Sequence, residues 1–142
     1  MAAFKKITVS VFVAAPIGDA WRTFVTPASI QEWNFASDDW RCPRVVNDLR
    51  EGGAFNYRME SKDGKAGFDF TGTYLRIIPE NLIEYALDDG RKVSVNFRRR
   101  RDGTELIETF EAEWDNAIQL QRQGWQAILD NFKKLVEGAE AR

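Results

Sequence analysis

Apolar residues recur at helical spacing near the end of the chain and alternate with polar ones through most of what precedes it. From Asn116 to Gly138 the apolar set is Leu120, Trp125, Ile128, Leu129, Phe132, Leu135 and Val136, which predicts one long amphipathic helix with a wide apolar face. Asp115 or Asn116 can cap its start, and Asn116 with Gln119 has the form of a capping box, Asn replacing Ser or Thr. Lys133 and Lys134 fall in the predicted last turn, where cations suit the helix dipole, and Gly138 is expected to end it.

Upstream the period is two. Ile7, Val9, Val11 and Val13 alternate with Thr8, Ser10 and Phe12, a first strand. Ala15-Pro16 then opens a helix with proline at its first position, Asp19 lies in its first turn, and Trp21 and Phe24 share a face. Thr26-Pro27 repeats the start signal for a second short helix reaching Trp33. From Asn34 to Pro43 no period survives, and aromatics mix with carboxylates, so this stretch is expected to be an ordered loop. Asp63-Gly64, Asp89-Gly90 and Asp102-Gly103 mark hairpin turns between alternating segments. Phe55, Tyr57 and Met59 form one strand face; Phe68, Phe70, Gly72 and Tyr74 form the next, ended by Pro79. Ile83, Tyr85 and Leu87, then Val93, Val95 and Phe97, then Leu106, Glu108, Phe110, Ala112 and Trp114 complete the series. The opposite positions Asn56, Arg58, Asp69, Ser94, Asn96 and Arg98 are polar, as a sheet with one wet face requires. Strands grouped apart from helices predict an α+β fold, an antiparallel sheet whose apolar face is covered by the long C-terminal helix.

Composition narrows the chemistry. A chain of 142 residues is expected to be a single domain spanning 1–142 with a sizeable core, and five Trp with ten Phe exceed what a small core needs. No apolar run is long enough to span a bilayer and the N-terminus lacks a signal-peptide pattern, so no membrane insertion is expected. The lone Cys42 precludes an internal disulfide and fits a reducing cytoplasm. A net charge of -2 argues against nucleic acid as the main partner. The absence of histidine removes Ser-His-Asp and Cys-His chemistry and the commonest metal ligand.

Ala15-Pro16 with Trp21, Trp33, Gly52-Gly53 before a strand, Phe70-x-Gly72-x-Tyr74, Pro79, Asp89-Gly90-Arg91 and Gly124-Trp125 follow one another along nearly the whole chain. In this order they resemble the helix-grip fold of the START-like (SRPBCC) superfamily. The resemblance is to the branch related to the activator of heat-shock-protein-90 ATPase, also described as polyketide-cyclase-like. It implies that the sheet is curved and wrapped around the C-terminal helix, with an apolar cavity between them. It implies no single reaction, since such proteins include hydrophobe carriers, cyclases and chaperone partners.

The residues supply candidates for such a cavity. Tyr57, Phe70, Tyr74, Phe97 and Phe110 are expected to point from the sheet toward Trp125, with Met59 and Tyr85 on the same strand faces. Such a stripe either fills a core or lines a cavity, and strong sheet curvature favours the cavity. Parity sends Glu108 inward, whereas a bulge would put it in solvent and Ile107 inside. An inward carboxylate needs a reason: general base, acceptor for a ligand hydroxyl, or partner of a buried arginine. Gln121, one turn before Trp125, shares its face, and the loop from Trp33 to Pro43, with Trp40, is the candidate mouth or lid. Asp38 and Asp39 lack further spaced ligands and predict no metal, and Cys42 without histidine reads as a structural or merely reactive thiol, not a nucleophile. Arg98 to Arg101 could grip a phosphate or an acidic partner, but they disperse across a hairpin end and read rather as edge protection.

The expected function is binding of an apolar or aromatic small molecule between sheet and helix, without cofactor. One alternative is a polyketide cyclase/dehydratase-like enzyme using Glu108 as acid/base; another is a chaperone co-factor. Whether any reaction is catalysed is left open, and a second copy of the chain stands as a further candidate partner.

Overall fold

The computed structural model describes residues 4–140. After β1 (Lys6–Val13) come α1 (Ile17–Val25) and α2 (Pro27–Trp33), then β2 (Trp40–Asn47), β3 (Ala54–Ser61), β4 (Gly67–Ile78), β5 (Leu82–Leu87), β6 (Lys92–Arg100) and β7 (Gly103–Glu111), and finally α3 (Ile118–Glu140). The strands form one antiparallel sheet of seven in the order β1-β7-β6-β5-β4-β3-β2, curled into a half-barrel around α3. This is the α+β helix-grip arrangement.

Alternation survives folding. β1 is buried at every second residue, from Ile7 to Val13, and β7 buries Thr104, Leu106, Glu108 and Phe110. β7 pairs with both neighbours without a register shift, so no bulge turns Glu108 outward. Gly64 and Gly90 take positive φ (77° and 91°) in two of the Asp-Gly turns, a conformation that side chains with a Cβ disfavour. Gly72 lets the sheet bend: a Cβ there would lie 2.7 Å from the Phe55 ring and 2.7 Å from the Ala86 carbonyl.

α3 is stitched to the outer edge of the sheet. β1 is an edge strand, and its outward carbonyls accept bonds from helix side chains: Arg122 Nη1 to Thr8 (3.0 Å), Gln126 Nε2 to Ser10 (3.0 Å) and Lys133 Nζ to Phe12 (2.7 Å). The Ala14 N–H donates to Glu137 Oε2 at 2.8 Å. These bonds satisfy backbone groups that would otherwise invite a foreign strand. At the far edge, β2 carries Pro43 at a register shift and the exposed Arg41 and Arg44, the devices expected there.

Several expectations about ends are corrected. α3 begins at Ile118, because the Asn116 amide donates to the Glu113 carboxylate and does not cap the helix. It runs through Gly138 to Glu140, so Gly138 is no stop and Lys133 and Lys134 lie before the last turn. Leu120 falls off the buried stripe and is 63% exposed. Pro16 is the N-cap of α1 and Ile17 its first residue. Trp40 to Pro43, read as loop, belong to β2; the bulge at Cys42-Pro43 breaks the period that would have marked a strand. β7 ends at Glu111, and Trp114 stacks on Phe4 with centroids 5.4 Å apart, outside the core.

Candidate functional site

The underside of α3 meets two different surroundings. Its second half inserts Phe132 and Val136, both almost fully buried, among β1, α1 and α2. Phe24, Trp33, Phe97 and Phe132 pack there as a ring cluster with centroids 5.1 to 5.5 Å apart, largely edge to face. The first half, with Gln121, Trp125 and Ile128, faces a cavity of about 290 Å³.

The sheet floors this cavity. β3 contributes Tyr57 and Met59, β4 Phe68, Phe70 and Tyr74, β5 Ile83 and Tyr85, and β7 Glu108. Phe24, Val25, Trp33 and Asn34 close one end, and Arg91 and Glu113 sit at the other. Phe68 faces inward by register opposite Met59, yet it is 51% exposed and leans on Trp40 at 5.9 Å, which marks this side as the mouth.

Of the residues singled out from sequence, the fold gathers Trp33, Tyr57, Met59, Phe70, Tyr74, Tyr85, Glu108, Gln121 and Trp125 around the cavity. Three stand behind or beside it. Phe110 is fully buried and stacks face to face with Trp125, centroids 4.0 Å apart and planes 7° apart, so it fixes that ring. Phe97 is covered by Trp21 and Phe24 and belongs to the solid cluster. Trp40 touches the mouth only through Phe68. Lining positions not singled out include Phe24, Asn34, Arg91, Glu113 and Leu129. Arg91 follows a hairpin turn and Glu113 a strand end, where parity no longer reports direction.

Most polar groups here are already engaged. Tyr74 O–H donates to Asn47 Oδ1 (2.5 Å), whose Nδ2 donates to the Val25 carbonyl (2.8 Å). Asn34 Nδ2 points at Met59 Sδ, 3.3 Å away. Gln121 donates to the Glu113 and Asn116 carbonyls (3.1 and 2.8 Å) and accepts from the Glu113 N–H (2.9 Å), clamping the turn into α3. Arg91 turns to Asp89 (2.7 Å), the Glu111 carbonyl (3.4 Å) and Glu113 (4.0 Å).

Glu108 is different. It is 6% exposed, and no cation or hydrogen-bond donor among the described residues meets its carboxylate. The arginine partnership expected as one explanation for it is therefore absent among those residues. Burial alone pushes its carboxyl up to about 8, because the charged form loses its hydration. Tyr85 is 8% exposed, and burial together with the nearby Glu108 carboxyl pushes its phenol well above the ordinary range. Tyr57 and Tyr74 are also raised, first by burial.

The Activator of Hsp90 ATPase homolog 1-like family model matches residues 14–137. The chain belongs to that family. Among similar solved structures, the AHSA1-like protein from Aeromonas hydrophila is 41% identical with a TM-score of 0.91, the match covering 97% of this chain and 96% of that one. Chr148 from Cytophaga hutchinsonii is 43% identical with a TM-score of 0.82, covering 96% and 95%. Protein NE0264 from Nitrosomonas europaea, 17% identical over 100% of both chains with a TM-score of 0.83, shares the fold. No curated protein matches significantly. In this AHSA1-like chain the helix-grip framework thus carries an aromatic-walled cavity and, inside it, the Glu108 carboxyl, which no described residue pairs.

Away from the cavity, Arg98 to Arg101 are exposed, with Arg99 facing Glu80 and Arg100 facing Glu105. Asp39 accepts from Ser37 and is exposed, and Cys42 is buried with its thiol raised by that burial. No helix among the described residues is long and apolar enough to cross a membrane.

Proposed function

We propose that this protein binds an apolar or aromatic small molecule in the cavity between the sheet and the first half of α3. The observation that carries the reading is a space of about 290 Å³ in the middle of an otherwise interdigitated core, walled by Tyr57, Phe70, Tyr85 and Trp125. An aromatic-walled recess that opens beside Phe68 is the kind of concave, mostly apolar space that small molecules occupy. The volume lies at the small end of ligand sites and suits about two aromatic rings. A buried lone thiol agrees with work in a reducing cytoplasm. A thermal-shift screen of aromatic and acyl compounds tests the reading: binders raise the melting temperature with concentration, and a screen without a hit would discard it.

Acid–base catalysis is the second reading, favoured by Glu108 having no cation beside it and a carboxyl poised near neutrality. It is checked by α-proton exchange of an aryl β-diketone in D₂O. A rate above buffer that disappears in Glu108→Gln supports it, and a rate equal to buffer removes it.

A further inference from the structure

Two hydroxyl-bearing groups in the cavity have nothing to bond. Glu108 and Tyr85 are both more than nine-tenths buried, both line the space, and neither meets a hydrogen-bond partner among the described residues. They sit on β7 and β5 with one strand between them, where Tyr85 pairs with Val93 and Glu108 with Val95. Both line the same volume, and the Glu108 carboxyl helps raise the Tyr85 phenol. With no protein partner among the described residues, both polar ends open onto the cavity, where water or a ligand atom completes them, and a ligand that fills the space must supply that atom itself.

The chemistry of that atom follows from the surroundings. The strand partners of Glu108 are apolar, Val9 on β1 and Val95 on β6. From α3 it is faced by Gln121 and Trp125, neither charged, and from β3 and β4 by phenols. The charged groups in reach, Arg91 and Glu113, are turned toward one another, and Arg91 also toward Asp89. With no cation to hold a carboxylate, burial keeps the acid protonated at neutral pH. We propose that the Glu108 carboxyl and the Tyr85 hydroxyl donate together to one carbonyl oxygen, so that the cavity selects an uncharged aromatic molecule bearing such an oxygen. A tyrosine beside a carboxylic acid kept neutral by an apolar site is an established way to hold that kind of oxygen. This inference rests on the cavity being a binding site, and it adds which ligand class that site takes.

Three molecules of one shape test it: benzophenone, diphenylmethane and diphenylmethylamine, titrated calorimetrically at pH 6.5 and 9.5. At pH 6.5 benzophenone should bind roughly 10-fold more tightly than diphenylmethane, the worth of one or two well-made hydrogen bonds. At pH 9.5 ionised Glu108 can no longer donate, and the advantage should shrink. Glu108→Gln retains an N–H donor and should keep the advantage at both pH values. Tyr85→Phe should reduce it, and Glu108→Leu with Tyr85→Phe should erase it while diphenylmethane still binds. Equal binding of benzophenone and diphenylmethane would overturn the donor pair and leave the cavity reading intact. Preference for the amine would show a working carboxylate instead, and failure of all three would remove both readings. Should the double variant not fold, Glu108→Gln and Tyr85→Phe decide alone.

Discussion

The two halves of α3 lie on the same sheet and obey the same apolar spacing, yet one is packed solid and the other roofs a void. Under the second half, α1 and α2 bring Phe24 and Trp33 against Phe132, so three helices and the sheet fill the volume between them. Under the first half α1 and α2 reach only one end of the space, through Phe24, Val25 and Trp33. The curled sheet stands off, and one helix face cannot reach its far strands even with Trp125 stacked on Phe110. The bonds to Thr8, Ser10 and Phe12 hold α3 at the β1 edge, away from β3 to β5 where the space opens. A cavity here follows from the number of covering layers and needs no unusual residue; only Glu108 is a local departure from core chemistry.

The contrast can be broken most strongly from the closed side. Phe132→Ala should cost about 4 kcal/mol, since a fully buried ring leaves a hole, whereas Phe70→Ala, already beside open space, should cost about half that. Chemical denaturation of the two variants reads the difference directly. Next in size is a pH effect confined to the open side. The folded protein keeps the Glu108 proton up to about pH 8, while the unfolded chain releases it near 4.5. Stability should therefore fall as pH rises through that window and level off above it, losing about 3 kcal/mol between pH 5.5 and 8 relative to Glu108→Gln, which has no such slope. Overpacking separates the halves again: Val136→Phe should cost about 2 kcal/mol, and Ile128→Phe, which grows into the cavity, less than about 1. Smallest is the stitching at the edge. Arg122→Ala with Gln126→Ala should lose about 1 kcal/mol while leaving the cavity-lining resonances in place.

How much of this could be read beforehand differs by residue. Glu108 was legible because β7 keeps its alternation beside two neighbours that it meets without a register shift, and Tyr57 and Tyr85 likewise, since Asp63-Gly64 joins β3 to β4 and Asp89-Gly90 joins β5 to β6. Phe97 has the same parity as Tyr85 but lands in the solid cluster, because that depends on where α1 crosses the sheet, a tertiary fact with no local signature. Arg91, Glu113 and Asn34 lie just beyond regular elements, so periodicity said nothing of their direction. The start of α3 was misread for a chemical reason, as the Asn116 amide had the carboxylate of Glu113 within reach. Its end was misread because glycine is tolerated within a helix, and no strained turn at Gly138 stops this one.

The space beneath the first half of α3 can be probed by methyl-resolved NMR during titration with diphenylmethane, a ligand with no polar atom. Saturable shifts at the Ile83, Ile128 and Leu129 methyls, with Ile7, Val11, Leu106 and Val136 unmoved, are the result expected. Methyls that do not respond at all, or that respond equally on both halves, would contradict an open cavity set beside a closed core.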